Sequence, residues 1–354
     1  MSRDAVRGIA ESLTGSAVAL AEEGRLPDPM ISAGIRWLLR SRLRAEAAAD
    51  GGEPIRPPDD AEAKIAVETV AANQQHYEVP AAFFELVLGS HLKYSCCQWD
   101  DDVATLDGAE RRMLERTTER AGIGPGQDVL DLGCGWGSFS LHAAAAWPDS
   151  RFLAVSNSHG QVDFIRRRAR ERGIENLEAR VADVNEFSPE RRFDRIVSVE
   201  MMEHVRNHPE LFARIATWLQ PGGRVFVHVF CHRRHAYRFE ARGNGDWMAR
   251  QFFTGGVMPS EDTIPLAANP HFRLEESWRV SGTHYARTAD AWLANLDERR
   301  DVARAALAGG GEADPELALR RWRLFFLAVR ETFGFAGGDE WGVAHYRLRP
   351  GGEA

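Results

Sequence analysis

Three side chains that can exchange protons stand close together near the middle of the chain. Glu200, Glu203 and His204 occupy positions i, i+3 and i+4 of the run V-E-M-M-E-H-V. One helical turn would place all three on one face, although such residues also commonly cap a helix or balance charge. Two carboxylates and an imidazole can attract an ammonium ion, orient it and accept its proton. The spacing therefore predicts proton-transfer chemistry at these residues, provided that other elements bring a ligand to them.

A glycine-rich segment earlier in the chain predicts that ligand site. Val129 to Phe139 reads V-L-D-L-G-C-G-W-G-S-F, with Asp131 before three alternate glycines from Gly133 to Gly137. We expect a strand, a sharp turn and a helix, because glycine lets the backbone turn and approach a flat ligand. A dinucleotide fingerprint, G-x-G-x-x-G, needs its third glycine where this chain has Ser138. The segment instead resembles the first motif of S-adenosylmethionine (SAM)-dependent methyltransferases, which implies SAM as the cofactor.

Strands and helices alternate around this loop, which predicts an α/β fold with a parallel sheet and right-handed crossovers. The expected helices are 138–147, 161–172, 209–219, 289–307 and 315–333, and the expected strands are 129–132, 152–155, 177–181, 193–199, 224–230, 273–280 and 343–348. The predicted fold class is a Rossmann-like seven-stranded class I methyltransferase sheet. An N-terminal helical region precedes it, and a helical or lid-like insertion follows the fifth strand.

The same pattern divides the chain into three regions. Residues 1–60 are expected to form an N-terminal helical region that ends in a proline- and glycine-rich linker at 51–60. Residues 61–125 are expected to form a helical cap over the cofactor that begins with a helix at 61–72. Residues 126–354 are expected to form the core, with the insertion at 232–270, whose length is typical of a functional lid.

Further ligand contacts are expected where the second and third strands end, because ligands of parallel sheets lie at the carboxyl ends of the strands. Ser156 and Asn157 follow the second strand, and Gln161 opens the next helix. Many SAM enzymes carry an acidic residue there for the ribose, so Gln161 is expected to replace it. Asp183 and Val184 follow the third strand, where a carboxylate can bind the adenine amino group and an apolar side chain can pack on the ring. A helix cap or an ordinary loop carboxylate is the alternative for Asp183.

The segment 76–99, H-Y-E-V-P-A-A-F-F-E-L-V-L-G-S-H-L-K-Y-S-C-C-Q-W, resembles the cyclopropane fatty acid synthase superfamily, whose members carry H-Y-D-x-x-x-x-F-F-x-x-x-L and Y-S-C. The runs L-G-S-H-L-K-Y-S-C-C, V-S-N-S, V-E-M-M-E-H, D-W-M-A-R-Q-F-F-T-G-G-V-M-P-S and W-G-V-A-H-Y are similar to its coclaurine N-methyltransferase-like branch. The resemblance extends from about residue 72 to 349.

The resemblance implies roles for individual positions. Glu200, Glu203 and His204 match the catalytic Glu, Glu and His of the N-methyltransferase branch. The expected cofactor-binding residues are Tyr94, Ser95, Asp131, Gly133, Gly135, Ser156, Asn157, Gln161, Asp183 and Val184. The expected substrate-pocket residues are Trp322, Phe325, His228 and Cys96. Arg321 replaces a further aromatic residue of that pocket, which argues against a benzylisoquinoline-type substrate.

Two acceptors are compatible with these motifs: a small-molecule amine and the unsaturated acyl chain of a lipid. Lipid enzymes of the superfamily hold a bicarbonate, whose partners match Cys96, Glu203 and His228. Glu200 stands where those enzymes usually carry glycine, and a carboxylate there would repel bicarbonate and polarise an apolar pocket. We therefore favour the amine over methylation or cyclopropanation of acyl chains. A non-catalytic SAM-binding scaffold is disfavoured because the loop and the acid pair are both intact.

The composition narrows the remaining possibilities. The chain has 354 residues, 44% of them hydrophobic and 27% charged, and a net charge of −8, which disfavours nucleic acid as a partner. Its four cysteines show no zinc-binding spacing, so no metal is expected and a reducing cytoplasmic setting fits them. Neither a signal peptide nor a membrane-spanning segment is expected. A homodimer is a further expectation.

Overall fold

The computed structural model describes residues 14–49, 64–66, 79–240 and 246–351. The predicted linker at 51–60 lies outside these residues, as does most of the predicted helix at 61–72. Residues 64–66 of that helix are described and are not helical, because Ala66 forms a β-bridge with Val205. This part of the helix prediction is wrong.

Seven strands form one sheet in the order β3-β2-β1-β4-β5-β9-β8, which confirms the predicted fold class. Strands β1 to β5 are parallel, and β9 pairs antiparallel with both β5 and β8. A small second sheet contains β6 and β7. The bounds are β1 Asp128–Leu132, β2 Arg151–Ser156, β3 Leu177–Val181, β4 Phe193–Val199, β5 Leu219–His232, β6 Tyr237–Arg238, β7 Val257–Met258, β8 Phe272–Val280 and β9 Trp341–Pro350.

Helices cover the sheet and the edge where the site lies. Residues 14–22 are helical, and they precede α1. The labelled helices are α1 Asp28–Ala49, α2 Ala81–Val87, α3 Leu106–Ala121, α4 Ser138–Ala146, α5 His159–Glu171, α6 His208–Trp218, α7 Trp247–Gln251, α8 Thr263–Ala268, α9 Gly282–Glu298, α10 Arg300–Gly309 and α11 Pro315–Gly334. Short 3-10 helices occupy Met202–His204 and Phe335–Gly338.

The single helix predicted at 289–307 is wrong in both its start and its continuity. Helix α9 begins at Gly282, where the Ser281 side chain accepts a hydrogen bond from the Thr283 backbone N–H. The helical path is interrupted at Arg299, whose φ of −109° separates α9 from α10. The earlier start is important for function, because it places Tyr285 on a helix that faces the site.

An aromatic cluster joins α2 and α11 above the sheet. Phe83 and Phe84 of α2 pack against Trp322 of α11, with ring centroids 5.2 and 5.6 Å apart. Tyr94 also contacts Trp322, at 6.2 Å. Aromatic pairs at such distances stabilise a fixed arrangement. The cluster therefore holds the segment around Tyr94 over the carboxyl edge of the sheet.

Candidate active site

A cleft lies at the carboxyl ends of the parallel strands, where the strand order reverses between β1 and β4. Ligands of open α/β sheets bind at this switch point. The cleft has two adjoining sections. Gly133, Gly135, Gln161, Glu200 and His204 line both sections, so the two are parts of one binding space.

The predicted cofactor-binding residues are brought together by this cleft. All ten contribute to its walls: Tyr94, Ser95, Asp131, Gly133, Gly135, Ser156, Asn157, Gln161, Asp183 and Val184. Their role in holding SAM stays a prediction, but their positions surround a single binding space.

The glycine loop after β1 has the shape that a flat ligand requires. Gly133 has a φ of 82°, and a Cβ atom there would collide with the Met201 side chain. Gly135 has a φ of 52°, and a Cβ atom there would point into open space, with no atom within 4 Å. Asp131, at the end of β1, accepts a hydrogen bond from Ser140, and burial raises the pKa of its carboxyl to about 7. The loop thus presents bare backbone to the cleft and fits SAM.

Polar groups after β2 and β3 complete this part of the cleft. The Ser156 hydroxyl donates to Gln161 Oε1 at 2.7 Å, which leaves the Gln161 amide nitrogen as the group available to a ribose hydroxyl. Asp183 Oδ1 accepts hydrogen bonds from the backbone N–H and the side-chain amide of Asn185, both at 2.8 Å. Asp183 therefore stabilises its own turn, as the alternative explanation proposed, and also lines the cleft.

Three hydrogen bonds hold the side chain of Glu200 in place. Its Oε1 accepts hydrogen bonds from the Cys96 backbone N–H at 2.9 Å and from His228 Nε2 at 3.1 Å. Its Oε2 accepts a hydrogen bond from the Tyr285 hydroxyl at 2.6 Å. The side chain is only 8% exposed, and burial raises the pKa of its carboxyl. Three donors thus fix one carboxylate on the wall of the cleft.

The predicted helical turn from Glu200 to His204 does not form. Glu200 has a φ of 45°, in the left-handed region, and only Met202–His204 adopt a 3-10 helix. A non-glycine residue in this region is strained and commonly marks a functional site. The three proton-exchanging residues are therefore close together, but they do not share one helical face.

Glu203 and His204 occupy different environments as a result. His204 lines the cleft and stacks on Phe253 at 5.7 Å, and burial lowers the pKa of its imidazole to about 4. Glu203 is fully buried behind the wall, where its Oε1 accepts a hydrogen bond from the Phe230 backbone N–H at 2.8 Å. Burial, followed by the charge of Glu200, raises the pKa of Glu203 well above its usual range. The expectation that all three residues face the ligand is corrected for Glu203.

The predicted substrate-pocket residues are divided between the cleft wall and the layer behind it. Phe325 lines the cleft. Trp322, Cys96 and His228 do not: Trp322 packs in the aromatic cluster, and Cys96 and His228 are buried behind the Glu200 carboxylate that they hold. The prediction that Trp322, Cys96 and His228 contact the substrate is therefore corrected. These three residues support side chains that line the cleft.

Arg321, which replaces an aromatic residue, does not bring a charge into the cleft. Its guanidinium donates to Glu22 Oε1 at 2.8 Å, and the indole N–H of Trp247 donates to the same oxygen at 2.9 Å. Arg321 is not among the residues that line either section of the cleft. The argument from this substitution against a benzylisoquinoline-type substrate therefore loses its physical basis.

Several residues of the cleft were not anticipated from the sequence. Phe253 belongs to the insertion and packs against Phe230 at 5.7 Å and Phe325 at 6.3 Å. Tyr285 reaches Glu200 from α9, and the buried Lys93 donates from its ammonium group to the Ser95 hydroxyl. Phe253 lies inside a run that resembles the N-methyltransferase branch, which was an available signal. Lys93 lies inside another such run, next to the predicted Tyr94 and Ser95. The role of Tyr285 depends on a long-range contact with Glu200 that no local pattern reveals.

The sheet order, the glycine loop and the shared cleft define the protein as a class I SAM-dependent methyltransferase. Residues 65–336 match the family described as mycolic acid cyclopropane synthetase, and the chain belongs to this family. Within the described residues, no helix is long and apolar enough to span a membrane, and no group of three or more acidic, histidine or cysteine side chains is arranged to hold a metal ion.

Similar proteins place the chain in the N-methyltransferase branch of that family. An (S)-coclaurine N-methyltransferase of Thalictrum flavum subsp. glaucum is 35% identical over 92% of both chains. The crystal structure of a coclaurine N-methyltransferase bound to N-methylheliamine and SAH matches with a TM-score of 0.86 and 32% identity, and covers 94% of this chain and 99% of that one. The cyclopropane-fatty-acyl-phospholipid synthase of Escherichia coli (strain K12) is 30% identical over 62% of this chain and 54% of its own.

Proposed function

We propose that this enzyme transfers a methyl group to the nitrogen of a small amine that carries an aromatic ring system. The observation that carries the proposal is the Glu200 carboxylate, which three hydrogen bonds fix on the wall of the cleft. A buried carboxylate attracts a cationic amine and orients its nitrogen. Beside it, Phe230, Phe253 and Phe325 provide an aromatic wall for the rest of the acceptor.

Bound SAM would supply a methyl group that is already activated as a sulfonium. The protein then has two tasks, which are to align the acceptor and to remove a proton from its ammonium form. Burial raises the pKa of Glu200 toward that of an amine, which makes its carboxylate a better proton acceptor. His204 is neutral at pH 7 because burial lowers the pKa of its imidazole to about 4, and it stacks on Phe253 at the edge of the same space.

The contacts of Glu200 also disfavour the lipid alternative. The Cys96 backbone N–H and His228, which match bicarbonate partners in lipid enzymes, donate here to Glu200 Oε1. The third such match, Glu203, is buried beside Phe230 and contributes to neither section of the cleft. The Cys96 backbone N–H and His228 thus bind a carboxylate that belongs to the protein itself.

The acceptor class can be tested with labelled SAM and separate panels of acceptors. The panels comprise tetrahydroisoquinolines, benzylisoquinolines, simple aliphatic amines and vesicles of unsaturated phospholipids. We expect transfer to cyclic amines that carry an aromatic ring. Benzylisoquinolines belong in the panel because a named relative is a coclaurine N-methyltransferase. Arg321 does not argue against them, because its guanidinium is paired with Glu22. Label in acyl chains without label in any amine would overturn the proposal.

Two further proposals concern location and assembly. We infer a cytoplasmic location because Cys96, Cys97, Cys134 and Cys231 are all buried free thiols, which suits a reducing compartment. The expected homodimer is retained as a proposal, and light scattering of the purified chain would test it.

A further inference from the structure

A row of hydrogen-bonded side chains leads from the cleft along one face of the sheet to helix α3. Glu200 Oε1 lies 3.1 Å from His228 Nε2, and His228 Nδ1 lies 2.9 Å from His345 Nε2. The other ring nitrogen of His345, Nδ1, lies 2.7 Å from Arg120 Nη1. His228 and His345 are a directly opposed pair on β5 and β9, and both are fully buried. The Glu200 carboxylate is therefore linked to the Arg120 guanidinium through two histidines.

Strand register creates this row. His345 of β9 pairs with His228 of β5 on one side and with Trp278 of β8 on the other. The Arg120 guanidinium lies over the Trp278 ring, 4.9 Å from its centroid. A cation over an aromatic face is favourably placed, so Trp278 anchors the far end of the row.

The two ends of the row fix the direction of every hydrogen bond in it. Arginine has only donors, so His345 Nδ1 must be an acceptor, and the proton of a neutral His345 must lie on Nε2. That N–H donates to His228 Nδ1, so the proton of a neutral His228 also lies on Nε2 and points at Glu200. An ionised Glu200 accepts the hydrogen bond from His228 Nε2–H, so every hydrogen bond in the row joins one donor to one acceptor.

The surrounding charges support neutral histidines. Burial lowers the pKa of His228 well below its usual range, followed by the charges of Lys93 and Arg120. Burial lowers the pKa of His345 in the same way, followed by His228 and nearby cations that include Arg116. The titratable and charged groups that act on Glu200 itself are Lys93, Cys96, Cys97, Glu203, His204, His228 and Tyr285.

We propose that Arg120 and His345 are positioning residues which, through His228, hold Glu200 as an oriented carboxylate. This proposal deepens the proposed function, on which its kinetic consequence rests. The row cannot export a proton from Glu200, because His228 would need a free lone pair on Nε2. The proton of His228 would then lie on Nδ1, and the proton of His345 would also have to lie on Nδ1. The His345 Nδ1–H would then face the Arg120 guanidinium, which can only donate. The row instead disfavours protonated Glu200, because the His228 N–H forms a stronger hydrogen bond with an ionised carboxylate than with the carbonyl oxygen of a neutral carboxyl group.

The direct test is nitrogen-15 NMR of the full chain with labelled histidine, assigned with His228→Gln and His345→Gln variants. We expect both imidazoles to be neutral with the proton on Nε2 from about pH 6 to about pH 9, since both pKa values are low. In Arg120→Met at least one of the two should change tautomer or titrate in this range, and Arg120→Lys should restore the wild-type signals. Protons on Nδ1 in the wild type, or unchanged signals in Arg120→Met, would overturn the proposal.

A matched control removes a half-buried arginine of β4 that contacts the end of the same helix. Arg195 donates to the backbone carbonyl of Gly122, the residue after α3, at 2.9 Å and does not contact the row. Arg195→Met should loosen the helix end but leave both histidine signals unchanged. If Arg195→Met changed the histidine signals as Arg120→Met does, general loosening would explain them and the proposal would fail.

Kinetics supply the functional readout with any amine that the panel identifies. In Arg120→Met we expect the acid limb of the kcat profile to move up by about one pH unit, the loss expected for one charge-assisted hydrogen bond. Arg120→Lys should restore it, and a fall in kcat without a shift would indicate a purely structural role and contradict the proposal. The NMR result does not depend on the acceptor, so a failure of the proposed function and a failure of the row give different outcomes.

Discussion

Replacing Glu200 by glutamine removes a charge while the local hydrogen bonds are kept. The carbonyl oxygen of glutamine can accept from the Cys96 backbone N–H and from His228, as Oε1 does now. The new amide group then faces the Tyr285 hydroxyl, which can rotate and accept instead of donating. The variant should therefore fold normally, with an unchanged thermal midpoint, and the kinetic effect can be assigned to the charge.

The size of the effect follows from the distance and burial of the carboxylate. A cation about 4 Å from a carboxylate gains about 4 kcal/mol at the effective dielectric constant of a partly buried site. Each 1.36 kcal/mol corresponds to a tenfold change in rate, so the loss corresponds to about three orders of magnitude in kcat/KM for the amine. The Glu200 side chain is only 8% exposed, so salt should screen this interaction weakly.

The assay is the initial rate of methyl transfer at saturating SAM, over a range of amine concentrations and at two ionic strengths. We expect Glu200→Gln to lower kcat/KM by about a thousandfold, by the same factor at both ionic strengths. Glu186→Gln, which changes a carboxylate outside the cleft lining, is the matched control and should behave as the wild type. A folded Glu200→Gln enzyme with kcat/KM within tenfold of the wild type would refute the assigned role of the charge.

Four further outcomes test other parts of the site. Glu203→Gln should retain kcat within about tenfold of the wild type, because burial favours the neutral form of the Glu203 carboxyl. Glu203→Ala should lower kcat further, with SAM affinity nearly unchanged when it is measured by calorimetry. Loss of SAM binding in Glu203→Ala would contradict this prediction. Gly133→Ala should weaken SAM binding by tenfold or more, because its Cβ collides with Met201; unchanged affinity would show that the loop adapts. Phe253→Ala should raise KM for the amine about tenfold with little change in SAM affinity, and an unaltered KM would remove Phe253 from the acceptor wall. The rate should rise from about pH 6 to about pH 9, because Glu200, with its raised pKa, and the amine both lose protons in that direction; a flat profile with chemistry rate-limiting would contradict an amine acceptor.

The cofactor part of the cleft was predictable because its residues follow strand ends directly in sequence. Asp131, Gly133 and Asp183 needed only the identification of β1 and β3, since parallel strands bring their carboxyl ends to one edge. The fold class followed from the same alternation of strands and helices. Local patterns are sufficient when chain order alone decides which residues meet.

The contacts around Glu200 depend on register and on unusual backbone geometry, which the sequence does not specify locally. His228 and His345 are neighbours only because β5 and β9 pair antiparallel across more than a hundred intervening residues. Glu200 and Glu203 have a spacing typical of one helical face, but the left-handed φ of Glu200 prevents a regular helical turn. Glu200 therefore lines the cleft, whereas Glu203 is fully buried behind it. The pairing of Arg321 with Glu22 likewise links distant parts of the chain.

The identity of the methylated atom tests the central claim most directly. SAM with a carbon-13 methyl group would be incubated with the enzyme and a nitrogen-15-labelled tetrahydroisoquinoline, and the product examined by NMR for coupling between the two labels. We predict a methyl carbon bonded directly to the amine nitrogen, with label transfer lost in Glu200→Gln. A labelled methyl group on carbon or oxygen, or transfer only to acyl chains in a parallel reaction with phospholipid vesicles, would contradict it.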